Sequence, residues 1–396
     1  MVTHQIAVLL LIGYIVYTID LKQKYFPVPV VLVLLGMVLS FIPFLSDLYI
    51  SREIIFNVFL PALLFTSAYK FPLAQLKKHI GIITTFSTVG LMATAALLGT
   101  AIYFVSDPFI SLSLTGAFLL AAILIPTDPV SVTAIIKNST GKEELADVVE
   151  GESMVNDGTS IVLFTIFLSM VQTGNRFSFW HFLSELVLVS AGGILVGLVM
   201  GWLASRAIYY THNERYHVML TIVLAYGSFY IAHALSVSGV LASVVAGIMM
   251  AYEFGRTMTY RIKDSLDEFW EIIEPTILSI LFLMIGIRAV PYITFTEWGL
   301  AVIIFVLSVF VRFAVLSGLV YAVPAWRKDF KGYASILSLA GIKGTMSVAL
   351  LLWLETEEMS TEAPLISVAF AAVLLSLILQ SVGIYPMTQW LTARKK

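Results

Sequence analysis

Three acidic residues lie inside long apolar stretches of the chain: Asp128, Glu152 and Asp157. A carboxylate in the interior of a bilayer costs several kcal/mol, so each one needs a partner or a function. The stretches that carry Asp128 and Asp157 are consecutive and joined by a short connection, so we expect them to be neighbours. With both aspartates at a similar depth, the two carboxyl groups are predicted to form one site.

The residues around these acids supply oxygen atoms, which hard cations prefer as ligands. Thr127, Ser153 and Asn156 carry hydroxyl or amide oxygens, and Pro126 and Pro129 flank the first aspartate. Prolines at this spacing unwind a helix and free backbone carbonyls for coordination. The chain has no cysteine and no histidine beside the acids, which argues against a transition metal. The donor set predicts an alkali cation and leaves Na⁺, Li⁺ and K⁺ open.

Burial in a medium of low dielectric disfavours the charged form of a carboxyl group. A desolvated carboxyl group can therefore hold a proton and a cation in turn, and this competition couples two flows in opposite directions. The alternative for Asp128 and Asp157 is a structural ion pair. Arg312 and Lys343 are the two basic residues inside apolar stretches, and three acids against two bases leave at least one acid uncompensated. Glu152 is open between a ligand and a permanent partner of Arg312, the base we prefer for it.

The composition places these residues in a membrane protein. Of the 396 residues 59% are hydrophobic and 12% are charged, and the mean hydropathy is +0.94. A soluble domain carries about 25% charged residues. We therefore predict an all-α polytopic membrane protein with no nucleic-acid partner. Its thirteen predicted spans are 4–20, 28–45, 50–69, 80–105, 109–136, 144–171, 180–208, 216–235, 238–254, 268–289, 297–323, 332–354 and 364–386.

Two of these spans are predicted to be interrupted. Pro126 and Pro129 break span 5, and the run Gly341-Ile342-Lys343-Gly344 breaks span 12. Seven spans separate the two breaks, so the interrupted spans run antiparallel. Two inverted six-span repeats give this arrangement, and paired interruptions mark the midplane site of a transporter.

The basic residues fix a predicted topology. Most of the 23 lysines and arginines fall in loops on one side, and only Arg52, Arg176 and Arg288 fall on the other. The positive-inside rule then places the N-terminus outside and the C-terminus in the cytoplasm. Glu355 and Glu357, which follow span 12, are interpreted as part of a solvated outer loop.

Two stretches carry a resemblance to a known family. Pro126-Thr127-Asp128-Pro129 and Glu150-Gly151-Glu152-Ser153-Met154-Val155-Asn156-Asp157-Gly158 resemble the paired motifs of NhaP-type sodium/proton antiporters, the electroneutral branch related to animal sodium/proton exchangers. The Gly341 to Gly344 segment is similar to that family's Gly-x-Arg-Gly element. The likeness covers essentially the whole chain.

The resemblance implies a role for each matching residue. Asp157 is implied as the principal ion-binding and proton-binding carboxylate, and Asp128, the backbone of Thr127 and Ser153 as further Na⁺ ligands. Glu152 is implied to contribute directly or through water. Asn156 is the mark of the electroneutral branch, because electrogenic relatives have a second aspartate there.

Lys343 departs from the family pattern, which has arginine at this position. Lysine keeps the charge and loses the bidentate fork. Arg312 and Lys343 are both expected to compensate charge near the acids.

The resemblance also implies an assembly. A homodimer is expected, in which a core (spans 4–6 and 11–13, about 80–171 and 297–390) slides against a dimerisation part (about 1–79 and 180–290). The whole chain forms one transmembrane transporter domain in the plasma membrane, with no cofactor besides the transported ion.

Three other functions remain to be compared. A passive cation channel could use the same acids but has no need of inverted, interrupted helices. A K⁺/H⁺ antiporter differs only in its cargo. An intramembrane enzyme is disfavoured, because Ser153 has no evident histidine partner and no paired-aspartate protease motif is present.

Overall fold

The computed structural model describes residues 2–23, 27–46, 48–128, 133, 136, 143–174, 177–210, 213–257, 260–292, 295–324, 326–327, 330–357 and 363–383. Pro129 and most of the predicted second half of span 5 lie outside these residues. So do the last residues of span 13 and the basic C-terminal end.

The described chain is helical and contains no strand. Short turns of helix occur at Pro43–Ser46 and Arg52–Ile54, with 3₁₀ turns at Ile208–Tyr210 and Val290–Tyr292 and π turns at Ile55–Phe59, Phe86–Gly90 and Ser376–Gln380. The longer helices are α1 (Val2–Gln23), α2 (Val28–Leu39), α3 (Leu60–Lys70), α4 (Leu73–Ser106), α5 (Leu114–Leu124), α6 (Glu143–Thr173), α7 (Phe179–Ala207), α8 (Glu214–Ala234), α9 (Gly239–Thr257), α10 (Tyr260–Ala289), α11 (Phe295–Ala322), α12 (Phe330–Leu339), α13 (Thr345–Glu355) and α14 (Ala363–Leu375).

Each of the thirteen predicted spans overlaps at least one of these helices, and span 12 overlaps two, so the predicted all-α membrane architecture is confirmed. Within the described residues, 7 helices are long and apolar enough to cross a membrane by themselves. Shorter apolar helices account for the others, among them α5 and α13, which flank the two predicted breaks.

The helix ends follow from local chemistry. Ser113 precedes α5 and accepts a hydrogen bond from the Gly116 N–H at 2.9 Å, which satisfies one of the donors left free in the first turn. Span 5 leaves the helical conformation after Leu124, just before Pro126, which has no N–H to continue the ladder. Span 12 stops at Leu339 and resumes only at Thr345.

Helix α6 lies in the interior of the bundle. Of its most apolar stretch 67% is buried, against 17% for α7, so α6 is surrounded by protein while α7 exposes most of its surface. Helix α6 contacts α4, α5, α7, α9 and α13. The residues of the sequence motif on α6 are therefore shielded from lipid.

Helices α2 and α10 cross at two glycines. A Cβ atom on Gly286 would collide with the carbonyl oxygen of Val33 and would lie 2.8 Å from the Cα atom of Gly36. Small residues at such crossings let the two backbones approach closely, which is a main source of helix association in membranes.

This crossing should tolerate no larger side chain. Gly286→Val is expected to destabilise the protein by more than about 3 kcal/mol, because both obstructing groups are backbone atoms that cannot move aside. Thermal unfolding of the purified protein in detergent measures the effect. Gly318→Val is the matched control, since no described atom lies within 4 Å of that position on α11. Equal loss of stability in the two variants would contradict the assignment.

Candidate functional site

The two breaks in the helices meet each other. The Asp128 N–H donates a hydrogen bond to the carbonyl oxygen of Ile342 at 2.9 Å, which joins the break of span 5 to the break of span 12. Gly344 packs against the Asp128 side chain: a Cβ atom there would overlap the Asp128 Cβ and lie 2.8 Å from its Cγ. The two interrupted segments therefore cross in direct contact, as the paired breaks in the sequence predict.

Side chains of α6 and α13 satisfy the carbonyl groups that the first break frees. Asn156 Nδ2 donates to the Ile125 carbonyl at 3.3 Å, and the Ser153 hydroxyl donates to the Thr127 carbonyl. Ser347 of α13 donates to the Pro126 carbonyl at 3.4 Å. Because unpaired backbone groups are costly where water is excluded, these contacts hold the break open in one shape.

The second break is held from α12 and α14. The Gly341 N–H donates to the Ser338 carbonyl at 3.1 Å, and the Lys343 N–H donates to the Ser376 hydroxyl at 3.0 Å. A Cβ atom on Gly341 would lie 2.6 Å from Arg312 Nε, so only glycine lets the guanidinium pass at this point.

The predicted ligands are enclosed together. Thr127, Asp128, Ser153 and Asn156 are all buried. Thr127 Oγ1 lies 3.4 Å from Ser153 Oγ. Asp157 lies on α6 one helical turn after Ser153. Residues at this spacing share one side of a helix, so the two side chains are neighbours.

Two acceptor oxygens in this cluster have no hydrogen-bond donor among the described residues. They are Asn156 Oδ1 and Asp157 Oδ1, both inaccessible to solvent. Asp128 and Glu152 are both close enough for their charges to act on Asp157. Buried acceptors without donors are uncommon in folded proteins, and these two oxygens are therefore candidate ligands for a cation.

Glu152 forms a buried ion pair with Arg312. Arg312 Nη2 lies 2.8 Å from Glu152 Oε2 and 3.1 Å from Oε1, and both side chains are at most 7% exposed. The predicted partnership of these two residues is confirmed.

Lys343 is equally enclosed, at 3% exposed. The charges of Arg312 and Glu152 act on it, yet it has no ion pair within the described part of the chain. Its charge-compensating role stays a prediction.

A cleft approaches this cluster along α6. It has a volume of about 490 Å³ and is lined by Ile161, Thr165, Leu168 and Gln172 of α6, with Phe56, His233 and Trp353 among the residues opposite. The spacing of the α6 residues continues the face that carries Asp157. The cleft therefore runs along the face of α6 on which Asp157 lies, and its nearest lining residue on that face, Ile161, is one helical turn from Asp157.

Ion pairs join the helices at the end of the bundle where α13 ends. Arg52 Nη1 lies 3.0 Å from Glu357 Oε1, which also accepts from Trp353 Nε1 at 2.9 Å. Arg288 Nε donates to Glu355 Oε1 at 2.7 Å, and the Glu355 side chain is only 3% exposed. The interpretation of Glu355 as a solvated loop residue is wrong, because Arg288 folds back onto it from the end of α10.

Comparisons with known proteins decide the family. The family model described as sodium/hydrogen exchanger, transmembrane, matches residues 6–390.

The chain belongs to the sodium/hydrogen exchanger family.

Relatives within the family align with almost the full length of this chain. The chain is 31% identical to the Na⁺/H⁺ antiporter NhaH of Halobacillus aidingensis, over 97% of this chain and 96% of that protein. It is 30% identical to the Na⁺/H⁺ antiporter NhaG of Bacillus atrophaeus, over 93% of this chain and 71% of that protein. Its fold is similar to that of the sodium proton antiporter MjNhaP1 of Methanocaldococcus jannaschii, with a TM-score of 0.79, 20% identity and 99% of each chain covered. The resemblance to NhaP-type antiporters is confirmed.

Three residues of the exchanger's site carry no sequence signature that predicts their place: Ser347, Ser376 and Gln380. Serine and glutamine are scattered through many apolar stretches of this chain. The position of Ser347 is the one feature that could have indicated its role: it lies three residues after Gly344, where a small polar side chain can reach the opposing break.

The buried ion pair of the exchanger should respond asymmetrically to neutralisation. Glu152→Gln or Arg312→Gln alone is expected to lower the free energy of unfolding by about 3–5 kcal/mol, because each leaves one charge buried without its partner. The double variant should be more stable than either single one. Unfolding in detergent at constant pH measures all three, and strictly additive losses would contradict the pairing.

Proposed function

We propose that this exchanger transports one Na⁺ against one H⁺ at the site formed by Asp128 and Asp157. The observation that carries the proposal is the crossing of the two breaks at Asp128, next to the donor-free oxygens of Asn156 and Asp157. Carboxylate, hydroxyl and carbonyl oxygens together suit a hard cation. The names of NhaH and NhaG as Na⁺/H⁺ antiporters favour Na⁺ as the cargo.

Each residue has a distinct part in the exchange. Asp157 and Asp128 bind Na⁺ with the help of Ser153 and Thr127, whose oxygens already lie within one hydrogen-bonded cluster. A proton that binds the Asp157 carboxylate removes its negative charge and so releases the cation. The next cation, in turn, must displace that proton.

The neighbouring polar groups set the charge of the site. Asn156 holds the Ile125 carbonyl and contributes a neutral oxygen where a further acid would add a titratable group. Glu152 is engaged by Arg312, so it orients α6 and acts on the ion from outside the ligand sphere. Lys343 balances part of the remaining negative charge.

Alternating access is proposed to move a core against a scaffold within a homodimer. The core comprises about 80–171 and 297–390, and its helices α4, α5, α6, α11, α13 and α14 pack extensively on one another. The scaffold comprises about 1–79 and 180–290, in which α2 packs on α10 and α7 on α9. The cleft beside α6 lies where the two parts adjoin and gives one side of the membrane a path towards Asp157.

The exchanger is proposed to lie in the plasma membrane with its N-terminus outside and its C-terminus in the cytoplasm. The ion pairs support this topology, because each joins residues that the predicted spans place towards the same side of the membrane. Arg52 and Arg288 pair with Glu357 and Glu355 at the proposed outer face. Lys70 pairs with Glu274 at the opposite end, at 2.8 Å.

Transport by reconstituted protein tests the function. Addition of Na⁺ to proteoliposomes that hold a pH gradient is expected to dissipate the gradient, and Li⁺ and K⁺ tested in parallel report selectivity. Asp157→Asn should reduce the response to that of empty liposomes. Asp128→Asn should raise the KM for Na⁺ by about tenfold or more, the cost of losing roughly 1.4 kcal/mol of cation binding.

Two further measurements serve as controls for this test. Ser308→Ala removes a buried hydroxyl whose one hydrogen bond among the described residues goes to the Phe305 carbonyl of its own helix, so it should behave like the wild type. A membrane potential imposed with K⁺ and valinomycin should leave the rate unchanged if the exchange is one for one. Full activity of Asp157→Asn would refute the site, and cation flux without proton movement would indicate a channel.

The proposed movement can be blocked by cross-linking, since the chain has no cysteine of its own. Cysteines at Arg288 and Glu355 join scaffold to core, and a short bifunctional thiol reagent between them is expected to stop exchange until it is reduced. Cysteines at Lys70 and Glu274 lie within the scaffold and provide the matched control, which should keep exchanging when cross-linked. Unchanged transport with the first bridge in place would contradict the movement.

A further inference from the structure

One peptide group links Asp128 to helix α14. The Ile342–Lys343 peptide accepts the Asp128 N–H through its carbonyl oxygen at 2.9 Å and donates its own N–H to Ser376 Oγ at 3.0 Å. The carbonyl and the N–H of a trans peptide point in opposite directions. Asp128 and Ser376 therefore fix this peptide plane from its two sides.

Gln380 sets the direction of the Ser376 hydroxyl. A serine hydroxyl has one hydrogen and two lone pairs. The hydroxyl of Ser376 donates to Gln380 Oε1, so a lone pair is left to accept the Lys343 N–H. Ser376 is 0% exposed, Gln380 7% and Lys343 3%, so no solvent competes for these bonds.

The local helix geometry brings the two side chains together. Residues Ser376–Gln380 form a π turn at the end of α14, and such turns recur at functional sites. Hydrogen bonds in series strengthen one another in a medium of low dielectric. The chain of contacts therefore runs from Gln380 through Ser376 and the peptide group to the backbone of Asp128.

We infer that Ser376 and Gln380 are positioning residues for cation binding, which act on Asp128 through the Ile342–Lys343 peptide. The inference rests on the proposed function, because it assumes that Asp128 binds the cation. Neither residue touches the ion. Their effect is to keep the unwound segment, and with it the Asp128 carboxyl group, in the geometry that the cation requires.

Removal of the acceptor should weaken Na⁺ binding more than turnover. Ser376→Ala in proteoliposomes is expected to raise the KM for Na⁺ about fivefold, the net contribution of one hydrogen bond, with kcat nearly unchanged. Ser376→Thr keeps the hydroxyl and should restore the wild-type KM. Gln380→Met removes only the group that orients the hydroxyl and should raise KM in the same direction by a smaller factor.

The double variant separates this role from general loosening of the helix. Ser376→Ala with Gln380→Met should have the KM of Ser376→Ala alone, because both changes cut the same chain of bonds. Ser308→Ala is the control for loss of a buried hydroxyl. Multiplicative effects in the double variant, or an unchanged KM for Ser376→Ala, would overturn the inference.

The outcomes also distinguish this inference from the proposed function. If Asp128→Asn impairs Na⁺ binding while Ser376→Ala and Gln380→Met do not, the positioning role fails and the exchange site stands. If Asp128→Asn binds Na⁺ normally, the site itself fails. If Ser376→Ala does not fold, Gln380→Met tests the positioning role instead, by the same comparison of a raised KM with an unchanged kcat.

Discussion

The structure depends on the hydrogen bond between the Asp128 N–H and the Ile342 carbonyl. Backbone that leaves the helical conformation inside a membrane has no water to satisfy its polar groups, so protein groups must do so. Each break supplies part of what the other lacks. Asn156, Ser153 and Ser347 bind three further carbonyls of the first break, and Ser376 accepts one N–H of the second.

This requirement explains why the site is rich in small polar residues and glycines. A serine that satisfies a carbonyl also brings an oxygen close to the buried acids, as Ser153 does beside Thr127. Gly341 and Gly344 remove the side chains that would keep Arg312 and Asp128 from the crossing. Ser153 and Asn156 thus both stabilise the unwound backbone and lie at the proposed cation site.

The sequence predicts the architecture and the centre of the site because those signals are local or rare. Thirteen apolar stretches, two prolines around an aspartate and five charges in a hydrophobic environment leave few arrangements, and the pairing of Glu152 with Arg312 follows from that scarcity.

The contacts that could not be predicted depend on register between distant helices. Ser376, the first residue of the π turn that follows α14, accepts the Lys343 N–H from 33 residues away in sequence. Glu355 is buried by Arg288, which lies 67 residues away in sequence. Neither residue type nor spacing indicates such a contact.

The arrangement of charges also bears on stoichiometry. Glu152 is matched by Arg312 and Asn156 is neutral, so the proposed function assigns the cargo to Asp128 and Asp157, with Lys343 as a further buried base. Na⁺ and H⁺ each add a single positive charge to this set. Under the proposed one-for-one exchange, a core that carries either ion would have the same net charge in both directions of its movement. The membrane potential would then do no net work over the cycle, and the concentration gradients of the two ions alone would determine its direction.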